Sequence, residues 1–214
     1  MKAKIERTAE AIEHCKKSSC NRSKNQVYRI ARSNRWDWFI TLTFDRTRTD
    51  ASDYNMVVER LQNFLENVRK RKCPDMKYLI VPELHKDGEH YHFHGLLANA
   101  DGLRFAYSGH DDKKSGRCIY NVLDWSWGYT TATLIGDSGR VSSYITKYIT
   151  KDVDEHLKDK RRYYYSKNCN IAEKELLLLD EELFLQVYAD RIKYTKSVVV
   201  PQACQIINYY ELDY

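Results

Sequence analysis

The stretch that most constrains this chain is Val81-Pro82-Glu83-Leu84-His85-Lys86-Asp87-Gly88-Glu89-His90-Tyr91-His92-Phe93-His94-Gly95-Leu96-Leu97. Tyr78 to Leu84 is apolar and β-branched, Lys86-Asp87-Gly88 carries turn chemistry, and the strand pattern resumes from His92 to Asn99. The segment is therefore expected to fold as two strands joined by a turn. Strand side chains alternate between faces, so His92 and His94 share one face and Phe93 takes the other. Two imidazoles one pleat apart can ligate a divalent ion, and Glu83 on the neighbouring strand can add a hard oxygen ligand. His85, two residues from Glu83 and on the same strand face, is the rival third ligand; His90 reads as a turn residue. Two nitrogens and a carboxylate leave coordination positions open, which suits Lewis-acid work on a phosphate oxygen better than a closed structural site.

The flanking sequence supplies a scaffold. Trp36 to Phe44 alternates, with Phe39, Thr41 and Thr43 on one face and Ile40, Leu42 and Phe44 on the other, as a strand does. Ser52 is placed to cap a helix through Asn67, whose Met56, Val57, Leu61, Phe64, Leu65 and Val68 form one apolar stripe, and Pro74 stops it. Asp101 to Asn121 is polar and reads as an irregular insertion. Gly128 to Ile135 is β-branched and reads as a strand bounded by Gly136-Asp137-Ser138-Gly139. Those glycines lack the lysine and hydroxyl of a Walker A loop, which argues against a nucleotide-driven motor.

Val141 to Val153 is expected as one helix. At 100° per residue Tyr144, Lys147, Tyr148 and Lys151 fall on one stripe, and Ile145, Ile149 and Val153 on the stripe beside it. Docking the apolar stripe on a sheet leaves two phenols and two ammonium groups at the border of the docked face. Beyond it, Arg161 to Lys167 reads as an aromatic strand, Ala172 to Ile192 as an apolar-acidic helix, Tyr194 to Val200 as a short strand, and Ile206 to Tyr214 as a packing segment. Residues 1–34 read as a basic helical arm with a polar break from Ser18 to Ser23, leaving 35–214 as the domain proper.

Composition narrows the setting. With 214 residues, 43% of them hydrophobic and 30% charged, the chain can bury a core of its own. It has no apolar run long enough to cross a bilayer, and its first residues lack the apolar centre of a signal peptide, so a cytoplasmic protein without a membrane partner is expected. The six cysteines include no C-x-x-C pair and are read as reduced thiols. A net charge of +5 is modest, but it is unevenly spread: beside the basic arm stand Arg69, Lys70, Arg71 and Lys72, and later Arg161 and Arg162. Such runs suit a polyanionic partner and make these residues candidate DNA contacts.

Taken together, Phe39-Ile40-Thr41-Leu42-Thr43-Phe44, then His92-Phe93-His94-Gly95, then Tyr144-Ile145-Thr146-Lys147-Tyr148-Ile149-Thr150-Lys151 resemble the three motifs of rolling-circle replication initiators. These are the His-hydrophobic-His (HUH) endonucleases of small phages and plasmids, and the resemblance covers most of residues 36–152. It implies an α+β fold, an antiparallel sheet backed by helices of the ferredoxin-like or RNA-recognition-motif-like kind, with both histidines on a central strand. It implies that Glu83, His92 and His94, with His85 as the alternative, bind Mg²⁺ or Mn²⁺. It also implies that Tyr144 or Tyr148, assisted by Lys147 and Lys151, attacks the scissile phosphate of single-stranded or hairpin origin DNA in a bacterial host cell. No helicase-like domain is recognisable, so strand separation is expected to fall to a separate helicase. Two other readings use the same residues: a single-strand DNA transposase, and a non-catalytic module in which Phe39, Tyr91, Phe93 and Tyr129 stack bases while the histidines are structural.

Overall fold

The computed structural model describes residues 8–149, 160–173, 177–200 and 205–212. Two compact units follow one another along the chain, Met1–Ala172 and Glu173–Tyr214. In the first, the element order is α1 (Ala9–Arg32), β1 (Trp38–Leu42), α2 (Tyr54–Arg71), β2 (Lys77–Leu84), β3 (Tyr91–Ala98), β4 (Phe105–Asp111), β5 (Cys118–Val122), β6 (Thr130–Leu134), α3 (Ser138–Ile145), a 3-10 turn (Thr146–Tyr148) and β7 (Tyr164–Tyr165). The strands form one seven-stranded sheet in the order β4-β5-β6-β1-β3-β2-β7, and every neighbouring pair is antiparallel. This is the expected α+β arrangement, an antiparallel sheet backed by helices. Its central order, β6-β1-β3-β2, places β1 and β3 side by side in the middle, as in a split βαβ core.

Strand alternation sorts the core into two layers. Ile40, Leu42, Ile80, Phe93 and Leu97 point to one face and pack under Val57, Leu61, Phe64, Leu65 and Val68 of α2. Leu79, Val81, Leu96 and Ala98 point to the other and pack under Val27, Ile30 and Ala31 of α1 and Val141 and Ile145 of α3. The helix expected from Ser52 is α2, but its cap is Asp53, whose carboxylate accepts from the Asn55 and Met56 N–H groups. Ser52 instead donates its hydroxyl to Asp50. The helix also runs past Asn67 to Arg71, which puts Arg69, Lys70 and Arg71 in its last turn, where cations offset the helix dipole.

Several expectations are corrected. The serine-rich stretch in the N-terminal arm is no break: α1 is continuous across it, Cys20 is buried, and the Ser19 and Ser23 hydroxyls accept from the Arg162 guanidinium at 3.0 and 3.4 Å. The polar segment 101–121 is not irregular but supplies the hairpin β4–β5, joined to the sheet partly by the Trp38 and Phe105 rings, stacked 3.9 Å apart. The helix read from Val141 begins earlier, capped by Asp137, whose carboxylate accepts from Gly139 and Arg140. It ends at Ile145, tightens into the 3-10 turn, and leaves helical conformation at Ile149; Lys151 and Val153 lie outside the described residues. The aromatic strand shrinks to Tyr164–Tyr165.

In the second unit the long helix expected from Ala172 is only α4 (Glu181–Tyr188), capped by Asp180. The tail read as a packing segment is β9 (Gln205–Leu212), which pairs antiparallel with β8 (Ile192–Val200). The five described cysteines are free thiols. No helix among the described residues is long and apolar enough to cross a membrane.

Gly95, next to His94, faces the α2 layer between its cross-strand neighbours Ile40 and Ile80. A Cβ there would stand 2.2 Å from Ile80 Cδ1, 3.3 Å from Ile40 Cγ1 and 3.3 Å from the Leu79 carbonyl oxygen. Gly95→Val is therefore expected to overpack the core and destabilise the fold by about 1–3 kcal/mol, read as a lower urea midpoint at unchanged slope; an unshifted midpoint would show that the site has room.

Candidate active site

The register of β1, β2 and β3 assembles the site. Glu83 lies directly opposite His92, and Val81 opposite His94; Thr41 of β1 lies opposite His94 on its other side. All four polar side chains project to the α1/α3 face. The Glu83 Oε2 atom is 2.8 Å from His92 Nε2 and 2.7 Å from His94 Nε2, and the two Nε2 atoms are 2.9 Å apart. Thr41 Oγ1 is 3.1 Å from His94 Nδ1. When His94 donates from Nδ1 to this hydroxyl, its Nε2 presents a lone pair toward the other two donors, which is the form a metal requires.

The electrostatics of the group suit a cation. Burial pushes the Glu83 carboxyl up, but the hydrogen bonds and charge of His92 and His94 together outweigh it and hold the group at about 2. Burial also pushes the His94 imidazole below its ordinary value against the pull of Glu83, favouring the neutral ring. Among the described residues Glu83, His92 and His94 form a group that can hold a metal ion. An ion with ~2.1 Å bonds to adjacent octahedral positions sets its ligands ~3.0 Å apart, close to the three spacings found here, so the donor set fits a divalent ion. His85 lies outside this group. It is exposed just beyond β2, with its ring centroid 5.6 Å from that of His92 and its Nδ1 3.7 Å from Asp87. His90 sits in the connecting turn, with Nδ1 2.9 Å from Asp87.

Both tyrosines reach this group. The Tyr148 ring stacks on the His94 imidazole, centroids 3.7 Å apart and planes 19° from parallel. Tyr144 meets Tyr148 and Phe39 edge-on, each at 5.4 Å, is 43% exposed, and has the Lys147 ammonium 5.2 Å from its ring centroid. Burial, then a hydrogen bond with Tyr144, pushes the Tyr148 phenol well above its ordinary value, so it is protonated at neutral pH. Ile145 and Ile149 anchor this segment in the core. The two tyrosines are thus not successive members of one α-helical stripe: Tyr144 is in the last turn of α3 and Tyr148 closes the 3-10 turn. Nor is the histidine face open, since His94 is only 8% exposed beneath Tyr148. Thr41 and Phe39, both touching His94, are site residues that motif reading passed over, although the alternation of β1 had already put them on one face.

The basic candidates separate. Arg69, Lys70, Arg71 and Lys72 lie at the end of α2, which covers the other face of the sheet. They precede the start of β2, a strand length of ~20 Å from Glu83. Lys70 pairs with Glu66 at 2.6 Å and Lys72 with Asp124 at 2.5 Å. By contrast β7 runs antiparallel to β2, pairing Tyr165 with Leu79 and Tyr164 with Ile80, so the residues before Tyr164 lie toward the end that carries Glu83. There the Arg161 carbonyl accepts from the Tyr54 hydroxyl and the Lys160 ammonium lies 4.7 Å over the Tyr54 ring. Phe93 and Tyr91 are buried in the α2 layer, so the base-stacking module loses two of its four platforms.

Residues 37–153, more than half of the chain, match the family model described as replication-associated protein, ORF2 type. No curated protein and no solved structure matches.

These placements predict unequal roles for the basic runs. Replacing Lys160 and Arg161 together by Ala is expected to lower the slope of log affinity for single-stranded DNA against log salt by about one, at ~0.7 for each phosphate no longer neutralised. Neutralising Arg69 to Lys72 should change it less. Fluorescence anisotropy at several salt concentrations measures both, and the reverse ranking would contradict the assignment.

Proposed function

The chain belongs to the ORF2-type family of replication-associated proteins, a rolling-circle Rep type, and is a replication initiator; from that premise we propose that it nicks and rejoins single-stranded origin DNA through a phosphotyrosine link. The observation that carries this reading is the stacking of Tyr148 on His94, with Tyr144 against it, which brings nucleophile-bearing side chains to the only three-donor group found among the described residues. Glu83, His92 and His94 would hold Mg²⁺ or Mn²⁺, and the bound ion would polarise an oxygen of the scissile phosphate. Two imidazoles beside one carboxylate favour Mn²⁺ over the harder Mg²⁺ in binding strength.

The chain's own residues account for the rest. A tyrosine hydroxyl loses its proton and attacks phosphorus; the bond from phosphorus to the 3′ oxygen breaks, and that oxygen takes a proton and leaves as a free 3′-hydroxyl. The 5′ phosphate stays esterified to the tyrosine. Lys147, beside the Tyr144 ring, favours the phenolate and offsets charge gathering on the phosphate. Because a phosphodiester is exchanged for a phosphotyrosine ester, a later 3′-hydroxyl can attack and rejoin the ends without ATP. A second nick at the regenerated origin needs a second nucleophile, and we read the adjacent Tyr144 and Tyr148 as that pair, used in alternation. Strand separation falls to a separate helicase.

The test is covalent trapping. With single-stranded origin DNA and Mn²⁺, a denaturing gel should show a protein–DNA adduct that is lost on chelation and in a His92→Ala, His94→Ala double variant. Tyr144→Phe and Tyr148→Phe should each retain an adduct, and only the double Phe variant should lose it. Loss of every adduct in one single variant with its fold intact would leave the other reading, one nucleophile and one positioning tyrosine.

A further inference from the structure

Beside the donor group, on the same face, runs a part of the sheet that the helices leave bare. One residue beyond the Leu42–Phe93 and Leu42–Thr130 pairs, Thr43 lies opposite His92 on one side and Tyr129 on the other, its N–H donating to the Tyr129 carbonyl at 2.9 Å. With Glu83 opposite His92, a single cross-strand row therefore reads Tyr129, Thr43, His92, Glu83. The next row reads Thr131, Thr41, His94, Val81. Alternation along β6 sends Thr130 to the α2 face, where it is buried and accepts from the Val122 N–H, and so sends Tyr129 to the face of the histidines. On the β2 side of this face Leu79, Val81 and Leu96 are covered by α1 and α3; on the β6 side Thr131 is exposed.

Tyr129 is 74% exposed, and its ring has no aromatic or cationic neighbour among the described residues. Gly128 fixes its place: a Cβ at that position would stand 2.3 Å from the Thr43 carbonyl oxygen and 2.4 Å from the Asp45 nitrogen, so only glycine lets the chain close against the end of β1. Two strand spacings, ~10 Å, separate Tyr129 from His92. A bare, backbone-fixed aromatic ring on a hydroxyl-lined strip is suited to a π-face with a polar edge.

We infer that Tyr129 is a base-stacking platform, and that the single strand acted on at Glu83, His92 and His94 crosses β1 and β6 to reach it. The inference rests on the nicking reading for its direction, and its ligand is a nucleobase of single-stranded DNA next to the scissile phosphate. The exposed aromatic Tyr107 provides the contrast. The pairs Tyr107–Tyr120, Tyr120–Ala132 and Ala132–Ile40 place it on the opposite face, at 53% exposure.

The experiment measures binding alone, in EDTA, with a short fluorescein-labelled oligo-dT, since stacking tolerates any base. Tyr129→Ala is expected to weaken affinity ~5- to 100-fold without changing the salt slope, Tyr129→Phe to bind like the parent, and Tyr107→Ala to bind like the parent. A single 2-aminopurine moved along the strand should be quenched at one position by the parent and by Tyr129→Phe, and released from quenching by Tyr129→Ala. Undiminished binding by Tyr129→Ala, or an equal loss in Tyr107→Ala, would overturn the assignment. Because no cleavage is scored, a protein that bound in this way yet formed no covalent adduct would overturn the nicking reading and uphold this one.

Discussion

Glu83 and His92 are directly opposed residues of an antiparallel pair, and the site depends on that register. Cross-strand neighbours on one face stand about 5 Å apart at the backbone, close enough for a glutamate and a histidine to meet at their tips. The two-residue pleat then adds His94, and the facing strand adds Thr41 to orient it. A slip of one residue in β2 against β3 would turn Glu83 into the α2 layer and bring an apolar side chain to the histidines. The core makes such a slip costly: Ile80 and Leu79, on either face of β2, are each fully buried in a different layer. Packing on both faces of the sheet therefore holds three donor atoms that would repel one another without a proton or a metal between them.

The tyrosine segment is built on a different principle. Its apolar anchors, Ile145 and Ile149, are four residues apart, as are the phenols Tyr144 and Tyr148. The change from α-helix to 3-10 turn after Ile145 gives those phenols different surroundings. Tyr148 is pressed onto His94 and keeps its proton, whereas Tyr144 stands at the edge beside Lys147. Helix ends accommodate such tightening readily, because the last carbonyls have no intrahelical partner to lose. Alternate use of the two hydroxyls would require only that this short turn shift, with Ile145 still held in the core.

Much of this was legible in the chain. The alternation of β1 and β3 settles which side chains share a face, and from it the meeting of Glu83, His92 and His94 follows once the turn is recognised. What escaped had physical reasons. β4 and β5 lie at the sheet margin, largely exposed, so no apolar alternation marks them and the segment reads as an insertion. The serines of α1 resemble a break because their use by Arg162 is a long-range contact with no local trace. Asp53 and Ser52 are both competent caps, and which one serves depends on Asp50 engaging the serine first. The end of α3 depends on the anchoring of Ile149 in the core, which helical periodicity alone does not reveal. The basic run after α2 suggested proximity to phosphate through charge alone, while the fold sets it on the far side of the sheet.

Nicking chemistry at this site requires one divalent ion bound by one carboxylate and two imidazoles. Mn²⁺ added to the metal-free protein and followed by electron paramagnetic resonance reports both stoichiometry and directly bound nitrogen. One ion per chain is expected, with couplings from two imidazole nitrogens, one of which disappears in His92→Ala and the other in His94→Ala. An ion that shows no nitrogen coupling, or that binds the double variant as tightly as the parent, would contradict a metal centre built on Glu83, His92 and His94.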